Sequence, residues 1–404
     1  MTASLDISVP TPTRVSDIPG LDPAPAYTRT DEQSAGGVPL IVLPTGHRAL
    51  HVTRYADVQK VLTDTTFART ETNVEDGPSF FPTIMPAELL LNLDPPDHAR
   101  MRRFVTADYS AGGVEKLRGS LDGLITERFA ALRAQDQPDL FATVLDPIPL
   151  TVNCRSLGIP ESDIAYFRPY SRTVQMAPWE DVPHLLDHFW KAYNYVTDLV
   201  TGERPVVEGG MIARFVRDRD RAEPPLSDQE LVGLLFASVL GADQNVLSVM
   251  TKVVYALLSA PSLYGRVAAE PELVPQAVEE LIRLIPLGNI STFPRVARHD
   301  VELSDGRILE GDLVYADAFA ANRDPEVFSD PLAIDVDRQG KRHLQFGYGM
   351  HHCMGAALAR MQVNAVLTRL VREFPTLELA AEPAALPWDH GTLLRRPTSL
   401  PVRW

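Results

Sequence analysis

The stretch HLQFGYGMHHCMG, residues 343–355, holds one of the two cysteines in a chain of 404 residues. Gly347 and Gly349 precede this cysteine, Cys353, and Gly355 follows it. Glycines allow tight turns and let the backbone come close to a flat or bulky group. A helix is predicted directly after Cys353, so its free amide groups point back toward the sulfur and stabilise a thiolate. The pattern therefore indicates a functional thiolate in a glycine-rich loop.

Three kinds of chemistry use a thiolate: nucleophilic attack, redox exchange and metal ligation. A nucleophile needs a nearby base, which His351 or His352 would supply. A structural zinc site needs about four ligands, usually with paired cysteines. The other cysteine, Cys154, is about 200 residues away, which argues against zinc. A thiolate cradled by amide groups and covered by Phe346 suits an axial haem ligand best.

The overall composition argues against several classes of protein. The formal net charge is -15, which disfavours nonspecific binding to nucleic acid. Two cysteines cannot build a disulfide framework. The chain opens without a signal-peptide pattern, and no run of about 18 apolar residues predicts a membrane span. We therefore expect a soluble, cytoplasmic, monomeric protein with no nucleic-acid or membrane partner.

The periodicity predicts a mainly α protein with small β-sheets. Residues 1–34 are predicted to be loosely ordered, and residues 35–404 are predicted to form a single domain. The clearest helix is predicted over residues 227–260, where Ser227 and Glu230 form a capping box. Because this helix is long and apolar on most faces, it should run through the middle of the protein.

The spacing F-G-x-G-x-x-x-C-x-G, here Phe346, Gly347, Gly349, Cys353 and Gly355, resembles the haem-binding loop of the cytochrome P450 superfamily. The soluble bacterial class, from actinobacterial secondary metabolism, is the most similar. The resemblance implies a single-domain cytochrome P450-like fold over residues 35–404, with a long central helix. It also implies haem b with Cys353 as its axial ligand, and electrons from NAD(P)H through ferredoxin and ferredoxin reductase.

The resemblance extends to further residues in family order. Glu280 and Arg283 correspond to the family's E-x-x-R pair, which a later arginine, here Arg338, joins to lock the loop beneath the haem. The implied partners of the haem propionates, which would make charge-assisted hydrogen bonds, are His98, Arg102, Arg295, His343 and His351. The residues that would form a basic docking face for the ferredoxin are Arg103, Lys341, Arg342 and Arg360.

The central helix departs from the family pattern at one position. The family usually has A-G-x-(D/E)-T there, where the acid and the threonine deliver protons to bound dioxygen, whereas this chain reads L-G-A-D-Q-N. Gly241 and Asp243 match, Gln244 replaces the threonine, and Asn245 follows. An amide forms hydrogen bonds but shuttles protons poorly. Either Gln244 or Asn245 holds a water that does the threonine's work, or a polar group of the substrate completes the relay.

Family position also implies a substrate pocket that is apolar and aromatic with a few hydrogen-bonding groups. The predicted lining, for each member of which core packing is the alternative, is Phe80, Phe81, Met85, Phe236, Ala237, Leu240, Asn289, Ile290, Ser291, Thr292, His390, Thr392 and Leu393. Met176, Trp179 and Trp190 are predicted either to cover the entrance or to pack as helix core. Such a pocket suits a medium-sized aromatic or cyclodipeptide-like natural product.

The leading hypothesis is a haem-thiolate oxidase that couples its substrate through a radical, using dioxygen and electrons delivered by ferredoxin. The first alternative is a conventional monooxygenase that hydroxylates or epoxidises a natural product. Two alternatives come from other classes: a non-catalytic haem-binding protein, and a hydrolase with Cys353 as its nucleophile.

Overall fold

The computed structural model describes residues 12–78, 85–176, 181–340, 342–391 and 393–404. Several residues singled out from the sequence lie outside these ranges: Phe80, Phe81, Trp179, Lys341 and Thr392. The side chain of His390 also lies outside the description, although its backbone belongs to a strand.

Helices dominate the described part of the chain, as the periodicity predicts. The α-helices are α1 (Tyr55–Thr63), α2 (Asp97–Val105), α3 (Ala111–Glu115), α4 (Arg118–Arg133), α5 (Pro147–Leu157), α6 (Ile164–Met176), α7 (Val182–Thr201), α8 (Met211–Asp218), α9 (Asp228–Ala242), α10 (Gln244–Leu258), α11 (Pro261–Ala269), α12 (Val274–Leu284), α13 (Ala318–Ala321) and α14 (Ala356–Glu373). The predicted capping box at the start of α9 is confirmed, because Ser227 and Glu230 each satisfy a free amide of the other.

The strands are short and form small sheets. They are β1 (Thr28–Gln33), β2 (Pro39–Val42), β3 (Arg48–Val52), β4 (Phe67–Ala68), β5 (Arg295–Ala297), β6 (Val301–Leu303), β7 (Gly306–Ile308), β8 (Leu313–Ala316), β9 (Glu378–Leu379), β10 (Trp388–His390), β11 (Arg395–Pro397) and β12 (Val402–Arg403). A six-stranded sheet has the order β1-β2-β3-β8-β5-β4, and the pairs β6-β7, β9-β12 and β10-β11 are separate. Strands β3 and β8 are parallel, and the other pairs are antiparallel.

The prediction of a loosely ordered segment up to residue 34 is wrong for its described part. Val15, Ile18 and Leu21 are almost fully buried in the main core, and β1 pairs with β2 at the edge of the sheet. Apolar residues at these positions remove surface from water, which outweighs the loop-forming composition of the segment. The ordered domain therefore begins well before residue 35.

The central helix is broken where the sequence predicts a continuous one. Asp243 has φ -93° and ψ -82°, outside the helical region, and separates α9 from α10. The Asn245 side chain donates to the Gly241 carbonyl across the break, at 3.1 Å. This bond satisfies a backbone acceptor near the end of α9, where helical partners are missing.

Together α9 and α10 form the core of the protein. The combined segment Asp228–Leu258 is long and apolar enough to cross a membrane by length and composition, but 67% of its most apolar window is buried inside the structure. Phe236, Leu247 and Tyr255 on this segment are completely buried. The central position predicted for this helix is confirmed.

Candidate active site: the cysteine loop and the central helix

The loop before Cys353 is held by backbone geometry that requires two of its glycines. Gly347 and Gly349 have φ values of 69° and 68°, a region that side chains rarely allow. A Cβ on Gly349 would also lie 2.4 Å from the carbonyl oxygen of Leu62. The sequence also predicts that Gly355 is needed for a tight turn or a close approach. Its φ is -79°, however, and an added Cβ would only touch the Cys353 sulfur at 4.0 Å.

The Cys353 side chain lies where several donors and cations converge. Its own amide donates to the Phe346 carbonyl at 2.7 Å and closes the turn. Burial raises the pKa of the thiol, whereas hydrogen bonds from the Gly355 and Ala356 amides and the positive charge of Arg102 lower it. The donors at the start of α14 oppose the effect of burial only in part, because the pKa of the thiol stays above its ordinary value; the thiolate stays a prediction.

A cavity of about 380 Å³ opens beside Cys353. Its lining includes the cationic side chains Arg102, Arg342 and Arg360 and the carboxylate of Glu279. Arg360 binds Glu279 with two hydrogen bonds, at 2.6 and 2.9 Å, so the positive charge of the wall is partly compensated. The basic character predicted for this face is therefore concentrated in Arg102 and Arg342, while Arg103 is exposed and does not line the cavity.

Glu280, Arg283 and Arg338 come together in a buried ion-pair network. Arg283 binds both carboxylate oxygens of Glu280 at 2.8 Å, and Arg338 donates to Glu280 at 3.0 Å. Arg283 also donates to the Asn322 carbonyl at 2.7 Å, and the Asn322 side chain accepts from the Leu344 amide at 2.6 Å. The network thus connects α12 to the start of the cysteine loop.

Three of the predicted propionate partners form one cluster. The rings of His98 on α2 and His351 lie with their centres 4.4 Å apart and their planes tilted by 55°, and Arg295 on β5 lies close enough to lower the pKa of His351 by its charge. Nε2 of each histidine and Nη1 of Arg295 are buried and have no hydrogen-bond partner among the described residues. Burial is the largest cause of the lowered pKa of both histidines, and the pKa of His98 falls to about 4.

Arg69, which sequence reasoning missed, extends this cluster. It is buried, donates to the Leu91 carbonyl at 3.2 Å and to Thr72 at 3.1 Å, and its charge also lowers the pKa of His351. Burial lowers the pKa of Arg69 to about 9, and Arg295 contributes to the same shift. Two buried cations and two neutral histidines at one place indicate a site for an anionic group.

Arg102 and His343 lie beside this cluster and have protein contacts of their own, so their predicted role at the propionates stays a prediction. Arg102 donates to the His352 carbonyl at 2.7 Å and so contacts the cysteine loop. His343 lies 3.2 Å from Glu279 through Nε2, and its Nδ1 accepts from the Gln345 amide at 3.2 Å. Nε2 of His343 is itself buried without a hydrogen-bond partner among the described residues, as in His98 and His351. His352, for which the sequence suggested no role, contributes the carbonyl that holds Arg102.

The middle of the central helix has one stripe of residues that keep partial exposure to solvent among the described residues. Its members keep accessible surface while their neighbours on the helix are buried, and they are Ala237, Leu240, Gly241, Ala242, Asn245 and Val249. A Cβ added to Gly241 would meet no heavy atom within 4 Å. We call these residues the open stripe. Its spacing of about four residues is that of one helix face.

Asp243 and Gln244 point away from the open stripe into a polar network. Asp243 accepts hydrogen bonds from Ser171 on α6 and from the Gln244 amide, the latter at 2.8 Å. The side-chain oxygen of Gln244, Oε1, accepts a hydrogen bond at 2.6 Å from Arg396, which lies on β11. Gln244 is 2% exposed, so it cannot hold a water on the open stripe, and Asn245 is the amide that lies there. Burial raises the pKa of Asp243.

Most polar groups predicted for the substrate pocket serve the framework instead. Ser291 contacts Tyr315 and Asp317, and Thr292 donates to the Ala316 carbonyl at 2.6 Å. The Asn289 side chain donates to the Gly391 carbonyl at 2.9 Å. These residues lie in the segment between α12 and β5, and two of them bond groups on or next to β8.

The apolar predictions divide between core and open surface. Phe236 is fully buried between Phe189 and Tyr193, at ring distances of 5.0 and 5.3 Å, so its predicted place in the pocket lining is wrong. Met85 is also buried, and its backbone is held at both ends by the Asn73 side chain. Other predicted members keep partial exposure, namely Ala237, Leu240, Ile290 and Leu393. Of the predicted lid, Met176 is buried and Trp190 is 47% exposed.

Comparison with known proteins agrees with this geometry. The family model "Cytochrome P450" matches residues 210–400. The chain is 35% identical over 390 residues to mycinamicin IV hydroxylase/epoxidase of Micromonospora griseorubida, covering 96% of this chain and 97% of that protein. It is 35% identical to nocardicin C N-oxygenase of Nocardia uniformis subsp. tsuyamanensis, covering 90% and 91%. The chain belongs to the cytochrome P450 family.

The fold matches solved structures of the same family. The crystal structure of a cytochrome P450 with biaryl coupling reactivity superposes with a TM-score of 0.83, at 32% identity, over 89% of this chain and 91% of that one. The chain is therefore a monooxygenase-type oxidoreductase of the P450s that tailor secondary metabolites. The family implies a haem whose iron is bound by a thiolate, and electrons from external redox donors.

The described residues fit this cofactor. The orphaned donors of His98, His351 and Arg295 suit its carboxylates, and the amide groups of Gly355 and Ala356 suit a charged sulfur ligand. When bound, the haem supplies dioxygen activation. The residues of the cysteine loop would hold the sulfur, and His98, His351 and Arg295 would hold the carboxylates.

Proposed function

We propose that this P450 uses Cys353 as the axial ligand of haem b and couples a medium-sized aromatic or cyclodipeptide-like secondary metabolite. The observation that carries the proposal is the composition of the open stripe. No residue of the stripe has a hydroxyl group, and Gln244, at the family's threonine position, is turned into a buried network. Proton transfer near dioxygen therefore lacks the usual alcohol on this face of the helix.

A substrate with a phenol O–H or an indole N–H would supply the missing group itself. Loss of that hydrogen leaves a substrate radical, and two such losses allow a new carbon–carbon or carbon–nitrogen bond. The reaction balances because two substrate hydrogens, two electrons, two protons and one dioxygen give two waters. The structural neighbour with biaryl coupling reactivity supports this reaction type.

The second candidate is conventional oxygen insertion. Asn245 lies on the open stripe, and its amide already donates to the Gly241 carbonyl across the helix break. Its carbonyl oxygen would accept a hydrogen bond from a water there, and the water would then do the work of an alcohol. The names of the hydroxylase/epoxidase and N-oxygenase relatives favour this candidate.

We further propose that electrons reach the enzyme from NAD(P)H through a ferredoxin reductase and a ferredoxin. The wall beside Cys353 offers Arg102 and Arg342 to an acidic partner. The same electrostatic argument predicts that added salt slows reduction, because exposed charges are screened. We propose that the enzyme acts in the cytoplasm as a monomer.

Product analysis under labelled dioxygen tests these proposals. The enzyme, a surrogate ferredoxin with its reductase and an extract of host metabolites are incubated, and mass spectrometry follows the new compounds. A dimer, or a product lighter by two hydrogens and without label, supports coupling. A product with one labelled oxygen overturns coupling and supports insertion. Asn245→Ala should then lower labelled product, with Asn245→Ser as the variant that offers an alcohol at the same place.

A further inference from the structure

Arg396 is a buried cation in contact with the central helix, and the P450 reaction as described so far does not use it. It lies on β11 and is 1% exposed. Its guanidinium donates to the Gln244 carbonyl at 2.6 Å, to Ser248 at 3.0 Å and to the sulfur of Met176 at 3.4 Å. A buried charge is retained only where hydrogen bonds compensate its loss of hydration, so these three contacts define its position.

Gln244 connects this cation to the acid of the central helix. Its carbonyl faces Arg396 and its amide N–H faces Asp243, at 2.6 and 2.8 Å. The two ends of an amide dipole thus face a positive and a negative group, which fixes the orientation of the side chain. Threonine is too short to span these two partners. The departure at position 244 therefore has a structural partner 152 residues later in the chain.

Two further buried atoms lie at the ends of this chain of groups. Oδ1 of Asp243 and Nε of Arg396 have no hydrogen-bond partner in the part of the chain that the structure describes. Oδ2 of Asp243 is already held by Gln244 and by Ser171 on α6. Asp243 is therefore oriented from one side, and Oδ1 is the atom that remains for proton exchange.

We propose that Arg396 is a positioning residue for dioxygen activation. Through Gln244 it holds the Asp243 carboxylate in one orientation and keeps the Gln244 amide off the open stripe. This role holds for coupling and for oxygen insertion alike, since both need protons at dioxygen. A failure of the coupling proposal in product analysis therefore leaves this one standing, and the reverse is also true.

The proposal predicts that restoring threonine does not restore the family's relay. Gln244→Thr removes the bridge and leaves Arg396 and Asp243 without it, so proton delivery should become worse. Once Arg396→Met has removed the cation, the bridge is already broken. The two substitutions should then have much less than the sum of their separate effects.

The test uses the haem-loaded enzyme with its reductase and ferredoxin, and four variants: Arg396→Met, Arg396→Lys, Gln244→Thr and the double variant Gln244→Thr/Arg396→Met. The control is Arg395→Met, because Arg395 is the neighbour on the same strand and stacks over Trp388 instead, 5.2 Å from its ring centre. The measurements are kcat, KM, the fraction of electrons lost to hydrogen peroxide, and the unfolding temperature of each variant.

We expect Arg396→Met to lower kcat about tenfold, the loss that one charge-assisted hydrogen bond represents. KM should stay unchanged and the hydrogen peroxide fraction should rise. Arg396→Lys should recover part of the rate, and Arg395→Met should keep it. The double variant should match Arg396→Met in both kcat and unfolding temperature.

The opposite results overturn the proposal. They are equal effects of Arg395→Met and Arg396→Met, additive effects of the two substitutions, or a loss of unfolding temperature with no change in kcat and hydrogen peroxide. If Arg396→Met does not fold, Gln244→Thr and Arg396→Lys decide the matter. Faster coupled turnover in Gln244→Thr than in the parent enzyme would also contradict it.

Discussion

Replacing Glu280 by glutamine tests how the cysteine loop is held. Glu280 is buried and accepts hydrogen bonds from Arg283, Arg338 and the Asp335 amide, at 2.8 to 3.1 Å. Glutamine keeps the shape of the side chain but loses its charge and one acceptor oxygen. Arg283 and Arg338 then face no carboxylate. Their remaining acceptors are neutral oxygens, chiefly the backbone carbonyls of Asn322 and Ser329.

The magnitude follows from the burial of the network. Breaking a buried ion pair costs about 3–5 kcal/mol because an uncompensated charge remains inside. Since glutamine keeps one acceptor, we expect about 3 kcal/mol for Glu280→Gln. That is a large part of a typical folding free energy of about 5–15 kcal/mol. The loop carrying Cys353 should loosen first, because Arg283 reaches it through Asn322 and Leu344.

The assay compares Glu280→Gln with its neighbour Glu279→Gln. Glu279 binds Arg360 at the wall of the cavity, and its side chain is 39% exposed. Glu279 also faces His343 at 3.2 Å, but because its side chain is far more exposed than that of Glu280, Glu279→Gln should lose less free energy of unfolding than Glu280→Gln. Denaturant unfolding measures the free energy, and the ferrous–CO spectrum reports thiolate ligation. Glu280→Gln should lose both stability and part of the band typical of a thiolate ligand.

Equal destabilisation by the two substitutions would refute this reasoning, because burial would then have no influence on the outcome. An unchanged ferrous–CO band in Glu280→Gln, together with a loss below about 1 kcal/mol, would show that the network does not hold the loop.

Cys353→Ser should abolish the thiolate-type ferrous–CO band without unfolding the protein, and a retained band would contradict the assignment of the ligand. Gly349→Ala should lose more free energy of unfolding than Gly46→Ala in a denaturant titration. Both glycines have positive φ, but only at Gly349 would the added Cβ lie 2.4 Å from a carbonyl oxygen. Equal losses would show that the close contact to this oxygen has no effect beyond that of the positive φ. Burial raises the pKa of Asp243 above its ordinary 3.8, so its charged form is disfavoured in the folded state. We therefore expect the parent protein to lose stability relative to Asp243→Asn as pH rises from about 4 through the raised pKa. A difference in unfolding free energy that does not change with pH would contradict the raised pKa of Asp243.

Local spacing in the sequence is enough to predict several parts of this enzyme. The pair Glu280 and Arg283 lies three residues apart on a helix, so their contact needs only helix geometry. The capping box at Ser227 and the glycines of the cysteine loop are local in the same sense. The mainly α fold and the P450 family followed from these local patterns taken in order.

The positions of the propionate partners could be predicted only in part. His98, His351 and Arg295 meet as the resemblance implies, whereas Arg102 also holds the His352 carbonyl and His343 also faces Glu279. Packing decides these additional contacts, and no sequence spacing reveals that Arg102 meets the His352 carbonyl or that His343 faces Glu279. Arg69 gave no clear signal either, because two of its acceptors, the Leu91 and Pro294 carbonyls, lie far away along the chain.

The polar network beneath the central helix was decided by the tertiary structure alone. Strand alternation in LLRRP predicts that one of Arg395 and Arg396 faces inward, but not which helix it meets. Packing of β11 against α10 brings Arg396 to Gln244, although 152 residues separate them. From the sequence, Gln244 is a missing threonine; in the folded chain it is the bridge between a buried cation and the acid of the helix, because buried charges require partners wherever the topology places them.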